Sequence, residues 1–258
     1  ASEFDPDQPP PVFRKDVGSF VYAPSTVKFP VADALFAQAE TVEPGLGHAM
    51  RDRFPEMDPL LDYEGELGFV LMDDIEASDL QRVDFVPSIG FFLTNDLSAR
   101  SLALMGEGRK NRYEYWGASK SFPGFMPVSK RAWVPDEPRA NGIPRLVIET
   151  KVNGEVRQSQ TTDQMIYTPL EMLRFIHARY PDAPLVKGTM VFTGTPGGVA
   201  IRTPRWLVRM ANLMGFDREK KLSTKLSGDR SLFLKPGDEV TVKIDGLGSI
   251  ETVVVSGD

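Results

Sequence analysis

Most apolar residues in this chain fall in short runs bounded by glycine, proline, asparagine and aspartate, the pattern of strands more than of helices. "SFVYAPSTVKFP" opens the series at Ser19, and "ELGFVLM", "PSIGFFLTND", "KRAWVP" and "RLVIETKVNG" follow. The last of these ends in Asn-Gly, the strongest short hairpin signal, with "EVRQSQT" as its return strand. "LKPGDEVTVKIDGLGSIETVVVSG" closes the chain as a second hairpin-like pair. Helical spacing is rarer. "VADALFAQAE" predicts one short helix. "TPLEMLRFIHARYP" predicts an amphipathic one, with Thr168 as N-cap, Pro169 in the first turn and Leu170, Leu173, Phe175 and Ile176 on its apolar face. "EPGLGHAMRDRFPEMDP" and "SLALMGEGRKNRYEYWGASK" read as turn-rich loops. Many short strands with few helices predict a β-rich α+β domain and not a parallel α/β sheet.

Composition narrows the class. The 258 residues are 41% hydrophobic and 26% charged, with a net charge of −6 and no long basic run, which disfavours a nucleic-acid partner. No cysteine is present, so disulfides, thiolate zinc sites and cysteine nucleophiles are excluded. No apolar run approaches the roughly 18 residues a spanning helix needs. The proline-rich, acidic start "ASEFDPDQPPP" does not resemble a signal peptide. The expectation is a soluble, cytoplasmic protein with no membrane partner: a flexible tail over residues 1–18, then one domain over 19–258. Within it, residues 200–234 read as a helical insertion, with Trp206, Leu207, Met210, Leu213 and Met214 at helical spacing.

The candidate chemistry begins at "DYEGELGFVL". On a strand, residues two apart point to the same side, so Glu64 and Glu66 project together with Gly65 between them. Like charges so placed repel unless a cation lies between; a solvated strand edge is the alternative. Asp96 ends another hydrophobic run, where a strand emerges into a turn. Three converging carboxylates are hard oxygen ligands suited to magnesium, calcium or manganese. Lys120 sits in a glycine- and serine-rich loop, and Gly194 with Thr195 follows an apolar strand as an anion-binding type of turn.

Six phrases in one order give these residues a common identity: "YEGELG", "NDLSARS", "SKSF", "VNGEVRQSQTTDQMIYTPLEML", "TGTPGGV" and "LKPGDEV". Together they resemble the catalytic domain of the fumarylacetoacetate hydrolase superfamily, from about Ser19 to the C-terminus. The resemblance implies a mixed β-sandwich roll paired as a homodimer. It implies a divalent metal, commonly Mg2+ or Mn2+, held by Glu64, Glu66 and Asp96. Lys120 is then the active-site lysine, and Gly194 with Thr195 receives the substrate carboxylate or carbonyl. The implied activity is metal-dependent hydrolysis of a C–C bond in a β-diketo acid or acylpyruvate. Decarboxylation, isomerisation or hydration of 2-oxo acids on the same metal-enolate chemistry is the alternative, and a catalytically silent metabolite-binding relative is a third.

The chain departs from that pattern in three places. The family's hydrolytic histidine–glutamate pair has no matching phrase; His48, in the loop before the metal pair, is the candidate base, with Glu56 as its orienting carboxylate. His177 lies within the amphipathic helix and reads as a packing or surface residue. Ser101 stands where the family has an aspartate. Tyr113 or Tyr115, in the following loop, is expected to line the substrate pocket, and Tyr115 is the candidate chosen.

Overall fold

The computed structural model describes residues 10–136, 143–201 and 217–257. Two five-stranded sheets pack face to face. The first contains β1 (Phe20–Tyr22), β4 (Gly65–Leu71), β5 (Ile89–Asn95), β7 (Met126–Val128) and β10 (Met190–Phe192), in the order β1-β7-β5-β4-β10. The second contains β2 (Ser25–Lys28), β8 (Val147–Val152), β9 (Glu155–Thr161), β11 (Glu239–Ile244) and β12 (Gly248–Val255), in the order β2-β12-β11-β8-β9. A two-stranded ladder joins β3 (Leu61–Asp62) to β6 (Ser98–Ala99) beside the first sheet. The β-rich α+β architecture expected from the apolar runs is present.

The helices are α1 (Ala32–Val42), α2 (Leu46–Arg53), α3 (Ala77–Gln81), α4 (Arg100–Met105), α5 (Arg112–Ser119), α6 (Pro169–Arg179) and α7 (Arg218–Leu226). Helix α6 begins as its sequence dictates. The Thr168 hydroxyl accepts from the Glu171 N–H, and the Glu171 side chain reciprocates at the cap backbone. The β8–β9 hairpin turns at Asn153 and Gly154, whose φ of 51° and 80° are the two left-handed positions a type I′ turn requires. Two stretches expected to be loops are instead helical. Helix α2 lies in the "EPGLGHAMRDRFPEMDP" stretch, and α4 and α5 lie in "SLALMGEGRKNRYEYWGASK". The expected helix over 206–214 falls outside the described residues.

Alternation along β4 divides the core. Leu67, Phe69 and Leu71 meet Phe91 and Leu93 of β5 and Val242, Ile244 and Ile148 of the opposite sheet. On the other side of the first sheet, Phe92, Met126 and Val128 pack with Phe20, Val70, Met190 and Phe192. A larger cluster, including Tyr63, Leu97, Leu102, Tyr115 and Phe125, joins α1, α4 and α5 to the ends of the strands. Gly65 lies where the second sheet packs directly against β4. A Cβ there would stand 2.1 Å from Thr150 Oγ1 and 3.2 Å from Val242 Cγ1. Gly65→Ala is therefore expected to lower stability by about 1–3 kcal/mol, read as a reduced denaturation midpoint; an unchanged midpoint would show that the sheets can part there freely.

Candidate metal centre

Strands β4 and β5 are antiparallel with Gly65 opposite Asn95, so Glu64 and Asp96 meet just beyond their paired ends, where the Asp96 N–H donates to the Glu64 carbonyl at 2.8 Å. Glu66 is one step further in, opposite Thr94. The result is three buried carboxylates, Glu64, Glu66 and Asp96, each with an oxygen that lies within 4.8 Å of the other two. The Asn95 carboxamide oxygen accepts the Glu64 N–H at 3.0 Å, and its buried amide nitrogen has no hydrogen-bond partner among the described residues.

Three cationic groups surround this cluster. Lys120, at the C-terminal end of α5, donates to Glu64 Oε2 at 2.8 Å and Asp96 Oδ2 at 2.6 Å. Arg100 donates to Asp62 Oδ2 at 2.8 Å and also pairs with Glu64 Oε1. Lys15 pairs with Asp96 Oδ1, with only 7% of its side chain exposed. Lys15 belongs to the stretch expected to be a flexible tail, yet residues 13–16 pack along α5 and its C-terminal end. The Asp16 N–H donates to Ser121 Oγ at 3.0 Å, Phe13 meets Trp116 edge to face, and a Cβ on Gly117 would be 2.5 Å from the Arg14 carbonyl oxygen.

The charges are unevenly matched. Burial raises the Glu64 and Asp96 carboxyls, but cations outweigh it: Arg100 and Lys120 bring Glu64 below its ordinary value, and Lys120 and Lys15 do so for Asp96. Among the described residues no cation pairs directly with Glu66, and the Lys120 charge opposes its shift only weakly. Burial, then the Asp96 and Glu64 charges, hold its carboxyl well above the usual range, and the Gly194 N–H at 3.1 Å is the hydrogen bond it accepts. Burial depresses the Lys120 ammonium, yet Asp96 and Glu64 more than compensate and its pKa is raised. For Lys15 burial wins, aided by Lys120, and its pKa is lowered despite Asp96. Four buried carboxylates, Asp62 included, thus face three cations, and the shortfall lies at Glu66. A hard divalent ion fits that set: oxygen donors only, within one coordination sphere, around an under-compensated anion.

The remaining candidates are placed as follows. Gly194 and Thr195 adjoin the cluster, but their polar groups are already engaged with β4. Gly194 N–H bonds Glu66, and Thr195 Oγ1 donates to the Gly65 carbonyl at 3.2 Å and accepts from Gln158 Nε2 at 2.8 Å. Tyr115 does not face the carboxylates as a pocket wall. It is fully buried in the core, and its hydroxyl donates to Glu43, which Arg109 also holds at 2.8 Å. His48 is exposed on α2, near the Glu40 carboxylate that accepts from Gly45 and Gly47, and so is not paired with Glu56. His177 is half-buried in the last turn of α6. Ser101, in place of the family aspartate, is buried and ties the start of α4 to the Pro59 carbonyl through its hydroxyl and N–H. Sequence reasoning missed Lys15, Asp62 and Arg100. Only Arg100 carried a signal, as the arginine of "NDLSARS".

Comparison with known proteins identifies the family. The sequence profile described as "Fumarylacetoacetate (FAA) hydrolase C-terminal" matches residues 4–255, and the chain belongs to that family. An uncharacterised protein from Staphylococcus aureus strain USA300 is 31% identical over 196 residues, 75% of this chain and 52% of that protein. Another, from Archaeoglobus fulgidus, is 29% identical over 157 residues, 60% of this chain and 56% of its own length. The chain therefore spans about half the length of these curated relatives. Among solved structures, fumarylacetoacetate hydrolase from the psychrophilic Exiguobacterium antarcticum superposes with a TM-score of 0.55 at 22% identity, covering 94% of this chain and 65% of that one. Fumarylpyruvate hydrolase from Pseudomonas aeruginosa, in complex with Mn2+ and pyruvate, gives 0.50 at 23%, covering 76% and 66%. Both share the fold.

The raised Glu66 pKa has a consequence for stability. A carboxyl whose pKa is higher folded than unfolded stabilises the fold while protonated, and that contribution disappears as pH rises through the folded value. Metal-free protein is therefore expected to lose stability as pH rises above Glu66's ordinary 4.5. Glu66→Gln should flatten that part of a thermal-unfolding profile, whereas an identical slope in the variant would assign the effect to another group.

Proposed function

We propose that this family member is a divalent-metal-dependent enzyme that cleaves a C–C bond in a β-diketo or acylpyruvate-type acid, with hydrolysis as the first reading. The observation that carries it is the buried carboxylate triad with lysines on two sides. Glu64, Glu66 and Asp96 would hold Mg2+ or Mn2+, Ca2+ being the third hard ion these oxygens suit. When bound, the ion supplies Lewis-acid polarisation of a chelated 2-oxo or 1,3-dioxo unit.

The protein's own groups do the remaining work. Lys120 stays protonated next to Asp96 and Glu64, so it is a fixed positive charge for the enolate left when the C–C bond breaks. Lys15 is the more weakly held proton, because burial and Lys120 both oppose its charge. It is thus the readier of the two to pass a proton. Gly194 N–H keeps the Glu66 carboxylate turned toward its neighbours.

A second reading, decarboxylation or isomerisation of a 2-oxo acid, is favoured by one observation: His48 is exposed on α2 beside Glu40, so the expected pairing of His48 with Glu56 as a water-activating couple is not formed. Those reactions need the metal and the lysines but no water-activating base. Assays of acylpyruvates and of oxaloacetate with Mg2+ or Mn2+ separate the readings. Turnover of either substrate class should vanish in Glu66→Ala and in Lys120→Met. Acylpyruvate hydrolysis that survives His48→Ala would remove His48 from the mechanism, and loss of hydrolysis in that variant would restore it. Ligand binding without turnover of any of these acids would contradict catalysis and support a silent relative. We also propose that the chain pairs as a homodimer. Sedimentation should give twice the chain mass, and a monomer at micromolar concentration would contradict it.

A further inference from the structure

Strand β9 presents mostly exposed or half-exposed side chains, and its one fully buried residue is a carboxamide, Gln158. It stands opposite Thr150, the residue against which Gly65 packs. Gln158 Oε1 accepts from the Gly65 N–H at 3.0 Å; Nε2 donates to Thr195 Oγ1 at 2.8 Å and to the Pro196 carbonyl at 2.9 Å. The amide has one possible orientation, because the Gly65 N–H can only donate and the Pro196 carbonyl can only accept. Both amide protons are used. With a lone pair taken by Nε2, the Thr195 hydroxyl directs its own proton to the Gly65 carbonyl at 3.2 Å. The residue between the two glutamates is thereby gripped at its N–H by Gln158 and at its C=O by Thr195, which Gln158 itself orients. The same turn delivers the Gly194 N–H to Glu66.

We propose that Gln158 is a positioning residue for the carboxylate triad, locking the Thr195–Pro196 turn to Gly65 so that Glu64 and Glu66 are held at metal-ligand spacing. Gln158 lies in the opposite sheet from both glutamates and touches neither carboxylate, so its effect passes through backbone and hydroxyl contacts alone. The proposal rests on the metal reading of the site. Outer contacts of this kind hold ligand geometry in metal sites generally, and losing one weakens binding about 10–100-fold. Glutamate cannot substitute. Its second oxygen would face the Pro196 carbonyl with no proton to give and would draw the Thr195 hydroxyl proton away from the Gly65 carbonyl.

The test is Mn2+ affinity by calorimetry on the full chain, with thermal unfolding of the metal-free protein measured in parallel. Gln158→Met should weaken Mn2+ binding about 10–100-fold. Thr195→Val should weaken binding in the same direction, Thr195→Ser should restore it, and the Gln158→Met/Thr195→Val double variant should lose less than the two single losses multiplied together. Wild-type affinity in Gln158→Met, even with a lowered melting temperature, would overturn the proposal by reducing the residue to a structural role. If Gln158→Met fails to fold, the Thr195 pair decides: Thr195→Val at wild-type affinity overturns the proposal. Absence of Mn2+ binding by the wild-type chain would overturn the metal reading itself, a result distinguishable from failure of the Gln158 role alone.

Discussion

Four carboxylates are buried where β4, β5 and the short ladder of β3 and β6 end, and among the described residues three cationic side chains pair with them. Isolated charges are too costly to bury, so such a cluster persists only if its members compensate one another. Arg100 spans Asp62 and Glu64, Lys120 spans Glu64 and Asp96, and Lys15 completes Asp96. Each bridge joins parts of the chain distant in sequence. Asp62 also accepts the N–H groups of Ala200 and Ile201 at 2.7 and 3.1 Å, drawing in the segment that follows the glycine-rich turn. Glu66 is the member left without a cation, and a divalent ion is the simplest species that supplies the missing charge with oxygen coordination.

The packing serves that arrangement. Gly65 lets the second sheet approach the strand start that carries Glu64 and Glu66, and Gly117 lets the N-terminal segment lie close enough to α5 for Lys15 to enter the cluster. In both places the missing Cβ is what allows one backbone to bring charge or hydrogen bonds to another.

Local signals were legible. Thr168 with Glu171, and Asn153 with Gly154, determine their cap and turn through contacts within a few residues, so α6 and the β8–β9 hairpin could be read directly. The triad was legible because strand periodicity places Glu64 and Glu66 together and the family phrases supply Asp96 and Lys120. What escaped reading depends on tertiary docking. Lys15 sits among prolines and acids with no apolar period, and its order comes from Trp116, Gly117 and Ser121, about a hundred residues away. Helix α2 is flanked by glycine and proline and looks like a turn, yet Leu46 and Met50 bury one face of it. Tyr115 was expected at a pocket, but the Arg112–Ser119 stretch is helical, and its register turns that ring into the core, onto Glu43. Gln158 lies within one of the family phrases, but nothing local shows that its carboxamide turns inward to Gly65 and Thr195.

A crystal of the full chain soaked in Mn2+, with data collected at the manganese absorption edge, tests the central claim most directly. The account predicts one anomalous peak bonded to oxygens of Glu64, Glu66 and Asp96, with Lys15 and Lys120 displaced from the oxygens the ion takes. No peak at saturating Mn2+, with both lysines still seated on the carboxylates, would mean that the cluster is a structural ion-pair network and would contradict the account.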